Sequence, residues 1–97
     1  MIDSFGDKGT EDLFEVRDTK AARKTLPVPL HKLAKRKLNF IAVAVDLNDL
    51  KVPPGNKLEG LKGNLKGFHS IRINDQWRII FRWNRGNASE VKIVDYH

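Results

Sequence analysis

The spacing of hydrophobic positions changes along the chain, and the changes divide it into extended and helical parts. From Asn74 to Trp83, Trp77, Ile79, Phe81 and Trp83 share one parity and Arg78, Ile80 and Arg82 the other, the two-residue repeat of a strand with one face on a core. Upstream, Ile71 and Ile73 alternate with Ser70, Arg72 and Asn74, and the intervening Asn74-Asp75-Gln76 turns readily, which predicts an antiparallel hairpin. Val91 to Asp95 supplies a last strand after a polar, glycine-containing loop, and Met1, Ile2 and Phe5 suggest a short opening strand that ends at Gly6. In the middle the period becomes helical. Leu30, Leu33, Ala34, Leu38, Ile41 and Val45 form one face, Lys32, Lys35, Arg36 and Asn39 the other, and Pro29 suits the first turn. A shorter helix is expected from Thr10, which can cap free amides ahead of Glu11 and Asp12, with Leu13, Phe14 and Val16 on its buried side. Lys20 to Pro29 reads as a basic connector because Pro27 and Pro29 oppose regular helix. Asp46 to Leu50 can make one helical turn, and Pro53-Pro54-Gly55-Asn56 forces an irregular loop before Lys57 to Asn64.

These elements predict an α+β fold: an antiparallel sheet of about four strands with two or three helices from the first half of the chain on one face. The length suits one domain over residues 1–97. No apolar run approaches a membrane span, the opening residues lack a basic, apolar leader pattern, and there is no cysteine, so a soluble cytoplasmic protein without disulfides or thiolate metal sites is expected. The net charge is +6, and between Thr19 and Val45 stand seven Lys or Arg and no Asp or Glu. Such a segment draws polyanions, nucleic acid first and an acidic protein second. The helix lysines are a solvated face by default and a phosphate-facing one only if other features agree.

No phosphate-binding glycine loop, paired-histidine motif or nucleophile elbow occurs, and His31, His69 and His97 are scattered, so neither a metal nor a cofactor is expected. Lys57, Glu59, Lys62, His69, Arg78, Tyr96 and His97 remain as polar groups able to converge. Cutting RNA without a metal needs a base for the 2′-OH, an acid for the departing 5′-oxygen and fixed cations around the phosphorane, and these residue types suffice. Composition leaves the bland reading open, with Arg78 solvated, Tyr96 a packed strand end and His97 a frayed terminus.

Three stretches carry a resemblance: Pro53 to Gly63, reading Pro-Pro-Gly-Asn-Lys-Leu-Glu-Gly-Leu-Lys-Gly; His69 to Phe81, containing Asn-Asp-Gln-Trp-Arg; and the terminal Ile-Val-Asp-Tyr-His. Together with the length and the Met-Ile-x-Ser-Phe start, they resemble the HigB family of bacterial toxins within the RelE superfamily, over nearly the whole chain. The resemblance implies a RelE-like fold, ribosome-dependent cleavage of messenger RNA in the A site of the 70S ribosome, and neutralisation by a HigA-type helix-turn-helix antitoxin. Operator DNA would be reached only through the antitoxin complex. Carried over position by position, the family's catalytic set falls on Lys62, Arg78, Tyr96 and His97, with Glu59 where some relatives have histidine. That departure leaves the base open among His97, Tyr96 and Glu59, with His97 favoured because an imidazole titrates nearest neutrality. Arg78 is the expected transition-state cation, assisted by Lys62, with Lys57 and His69 bordering the substrate and Lys32, Lys35 and Arg36 holding ribosomal RNA. Two rivals share the fold: a ParE-like gyrase inhibitor that cuts nothing, and a non-catalytic RNA- or ribosome-binding module.

Overall fold

Asp7 starts the first helix, α1 (Lys8–Phe14): its carboxylate accepts from the Thr10 N–H at 2.7 Å. Thr10 therefore does not cap. It lies fully buried, and its hydroxyl oxygen accepts from the Ile93 N–H at 3.0 Å, tying helix to sheet. The expected connector holds a second helix, α2 (Lys20–Thr25), capped by Thr19, because the restriction imposed by Pro27 reaches back only to Leu26. Gly9 lets α1 and α2 touch: a Cβ there would lie 1.7 Å from the Thr25 hydroxyl. After one 3₁₀ turn over Val28–Leu30, α3 (His31–Val43) buries Ala34, Leu38 and Ile41, but ends before Val45, which is exposed. Asp46 and Asp49 form a capping box on the 3₁₀ turn Leu47–Lys51.

The computed structural model describes residues 1–96; His97, a proposed catalytic residue, lies outside the described residues. Its sheet is an antiparallel meander of β1 (Glu59–Gly60), β2 (Phe68–Arg72), β3 (Trp77–Asn84) and β4 (Asn87–Asp95) in that order. The β2–β3 hairpin is as the alternation predicts, closed by the Asn74 side chain accepting from the N–H groups of Gln76 and Trp77. The fourth strand differs from expectation. Glu59–Gly60 supplies it, whereas the opening residues form only isolated parallel bridges with β4, Ile2 to Ala88 and Phe5 to Val91.

Ile71, Ile79, Phe81, Val91 and Ile93 pack with Leu13, Ala22, Leu26, Ala34, Leu38 and Ile41 in one core beneath the helices. Lys37 is an exception on α3: its ammonium is buried and donates to Asn56 Oδ1 at 2.5 Å, while Asn56 Nδ2 donates to the carbonyls of Leu50 and Val52. Burial first, then the neighbouring charges of Arg36 and Arg72, push the Lys37 amine below its ordinary value. This network pins the 3₁₀ turn Pro54–Asn56, and Lys57, directly after it, takes a left-handed φ of 46° that turns the chain into β1. Among the described residues no helix is long and apolar enough to cross a membrane.

Candidate active site

Arg78 is the second residue of β3, on the parity opposite the core, so it faces the side of the sheet that the helices leave open. Its side chain is only 14% exposed, because neighbouring groups hold it down. Nη1 donates to Ser70 Oγ at 2.8 Å across the β2–β3 ladder and to the Lys57 carbonyl at 3.3 Å, and it lies 3.3 Å from Glu59 Oε1 on β1. The guanidinium also lies 5.1 Å from the centre of the Tyr96 ring. Pairing explains the convergence. Glu59 is opposite Ser70, Ser70 opposite Ile80, and Arg78 opposite Val94, so these positions share a face, and Tyr96 follows Val94 on that parity. Tyr96 is fixed at the strand end by its N–H, which donates to the Gln76 carbonyl at 2.6 Å.

All polar contacts of Arg78 among the described residues run through Nη1. A guanidinium held by one nitrogen keeps its remaining N–H groups in a planar fork, suited to two oxygens of one phosphate. Around it the open face repeats one device: Arg72 pairs with Asp75, Arg78 with Glu59, and Arg82 with Glu90 at 2.8 Å. Arg82 also stacks 4.3 Å from the centre of the Phe68 ring. The carboxylates are more exposed than their arginines, so an arriving polyanion can displace them without opening the core. The face thus offers fixed cations interleaved with aromatic rings, the two elements that hold single-stranded nucleic acid.

Of the residues expected to act together, Glu59, Arg78 and Tyr96 are gathered, and Lys57 contributes its carbonyl. Lys62 is exposed in the turn just beyond β1, ahead of Gly63–Leu65. His69 does not join them. It pairs with Phe81, and its ring lies 6.0 Å from the Phe81 ring on the core side of the sheet, because strand alternation sends adjacent residues to opposite faces. Lys32, Lys35 and Arg36 sit on α3 in the helical layer and take no part in the contacts around Arg78 among the described residues. Lys35 is turned inward, donating to the Phe14 carbonyl with its ammonium 4.1 Å from the centre of the Phe14 ring, so it is not a free phosphate ligand. Ser70 was missed. Its hydroxyl is fully buried beside Arg78, and its place on the Arg72 parity was the available signal. Among the described residues no group of His, Asp or Glu is arranged to hold a metal ion.

The sequence model of a family described as HigB-like toxin, the RelE-like toxin of type II toxin-antitoxin systems, matches residues 3–97. Toxin HigB-1 of Vibrio cholerae is 44% identical over 91% of this chain and 90% of its own length. Endoribonuclease HigB of Proteus vulgaris is 33% identical over the full length of both chains. Among solved structures, a heterotetrameric YoeB-YefM toxin-antitoxin complex from Staphylococcus aureus contains a chain that superposes with a TM-score of 0.59 at 20% identity, covering 100% of this chain and 98% of that one. The likeness to that chain shows a shared RelE-type fold.

Proposed function

Because this chain belongs to the HigB-like toxins of type II toxin-antitoxin systems, we propose that it is an endoribonuclease that cuts messenger RNA in the A site of the ribosome and so stops translation. The observation that most supports this reading is the convergence of Arg78, Glu59, Ser70 and Tyr96 on the open, cationic face of the sheet. The partner is an antitoxin, of HigA type with a helix-turn-helix, through which alone the toxin reaches operator DNA, and the site of action is the cytoplasm.

In the mechanism the message supplies its own nucleophile. The 2′-oxygen attacks the adjacent phosphorus as its proton leaves, the bond to the 5′-oxygen breaks, and that oxygen takes up a proton, leaving a 2′,3′-cyclic phosphate and a 5′-hydroxyl. Arg78 meets the charge that builds on the non-bridging oxygens, and Lys62 adds a second cation. Glu59 exchanges its ion pair with Arg78 for the 2′-OH as the phosphate arrives, either taking the proton or orienting the group. Tyr96 and His97 stand at the chain end for proton transfer, with His97 suited by residue type. The ribosome supplies what one small open face lacks, a bent and immobilised message.

Induced expression with mapping of new 5′ ends on cellular messages tests the proposal. Codon-phased cuts that vanish with Arg78→Ala and on removal of Tyr96 and His97 are the expected result. Intact messages accompanied by a DNA-damage response would transfer the chain to the gyrase-inhibitor reading.

A further inference from the structure

Away from Arg78, the corner after α1 and the start of α3 enclose a groove of about 310 Å³, lined by Leu13, Val16, Arg17, His31, Lys32 and Lys35. Its lip carries a conflict between sequence and backbone. Helix α1 ends with the Arg17 N–H donating to the Asp12 carbonyl and the Val16 N–H to the Leu13 carbonyl, the paired bonds of a Schellman ending in which the left-handed position suits glycine or asparagine. Valine occupies that position, at a φ of 58° and 75% exposed. A β-branched side chain is strained there, and nothing about folding calls for an apolar group facing water. Strain and exposure together leave an apolar surface at the lip that folding does not use.

We propose that this groove is the docking site for an acidic segment of the antitoxin, which seats an apolar side chain against Val16 and Leu13 and brings a carboxylate to Lys32. The proposal rests on the toxin-antitoxin reading of the chain. Charge selects the occupant: Arg17 answers the Asp12 carboxylate at 3.3 Å and Asp18 is paired with Arg23 at 2.8 Å, which leaves the exposed Lys32 as the rim cation that meets a carboxylate of the partner. A second copy of a chain with net charge +6 would bring like charge to the basic rim. RNA suits the site poorly, since the Lys35 ammonium is committed to Phe14 and the groove is walled by Leu13 and Val16. Lys35 instead provides a fixed wall of the groove, and Lys32 an exposed cation at its edge.

The test is the affinity of the purified full-length chain for its cognate antitoxin, read by calorimetry alongside thermal unfolding. Val16→Asn relieves the left-handed strain while removing the apolar anchor, so the expected result is an unchanged or higher Tm with at least tenfold weaker binding, a combination that a purely structural role would not produce. Lys32→Glu is expected to weaken binding by a similar factor, whereas Lys51→Glu, the same charge change on the Leu47–Lys51 turn outside the groove, leaves affinity unaltered. Wild-type affinity in both Val16→Asn and Lys32→Glu would overturn the groove while leaving the toxin-antitoxin reading intact. Failure of the unsubstituted chain to bind the antitoxin would overturn the partner assignment, and the groove with it. Weakened ribosome binding or loss of a homodimer, with antitoxin affinity retained, would give the groove to RNA or to a second copy and overturn the proposal.

Discussion

The two faces of the sheet handle side chains in opposite ways. Beneath the helices, Ile71, Ile79, Phe81, Val91 and Ile93 meet the apolar stripes of α1 and α3, and neighbours there are interchangeable so long as volume and parity are kept. On the open face Arg72, Arg78 and Arg82 each hold a carboxylate, Ser70 is buried for the sake of one guanidinium, and Phe68 and Tyr96 lie against cations. One face is specified by pattern and the other by atomic geometry. A substitution on the first should therefore register as lost stability, and one on the second as lost chemistry in a protein that stays folded.

Phe81→Ala gives the largest stability effect. It empties the centre of the closed face and is expected to cost about 3–5 kcal/mol, read as a lower midpoint in urea unfolding. Arg78→Ala is the counterpart on the open face: cleavage should fall by about 10²–10³, while stability falls by about 1–3 kcal/mol as the buried Ser70 hydroxyl loses its partner, less than in Phe81→Ala. Equal losses of stability in the two variants would break the distinction between the faces. Gly9→Ala adds a Cβ where α1 meets Thr25 and is expected to cost about 1–3 kcal/mol while leaving the turnover of folded protein unchanged. Ser70→Ala removes one of the acceptors on Arg78 Nη1 and should lower kcat about tenfold, about 1.4 kcal/mol, with KM little altered, because Glu59 and the Lys57 carbonyl remain.

The smallest effect is a change of slope. The Thr19 hydroxyl, opposed by burial and reinforced by Lys8 and Arg17, holds the Asp12 carboxyl below its ordinary value of 3.8. A depressed carboxylate contributes stability that is full above 3.8 and is lost as pH falls through the folded value. Unfolding free energy measured against pH should consequently fall less steeply below about 3.8 in Asp12→Asn than in the unsubstituted chain.

Legibility in the sequence follows the same division. The β2–β3 hairpin and the apolar face of α3 could be read because a repeat of two or of 3.6 residues extends over many positions. Helix α2 was hidden by prolines whose restriction reaches only one residue upstream, and Asp7 was passed over because Thr10 looks like a cap yet serves β4. A strand of two residues, Glu59–Gly60, has no period to detect. In the site, residue type made Glu59, Arg78 and Tyr96 candidates and family resemblance gave them roles, whereas periodicity alone could say only that Arg78 faces away from the tryptophans. Alternation within β2 would have turned His69 inward and offered Ser70 in its place, since neighbours on a strand cannot share a face.

On the proposed reading the open face cuts a message that the ribosome holds. Its most direct test adds purified protein, unsubstituted or Arg78→Ala, to ribosomes programmed with a defined message, and reads toxin occupancy and message length in the same tubes. Both proteins are expected to occupy the A site, and only the unsubstituted one to leave a 2′,3′-cyclic phosphate end there. Cleavage by Arg78→Ala at the unsubstituted rate, or A-site occupancy by the unsubstituted chain with the message left whole, would contradict it.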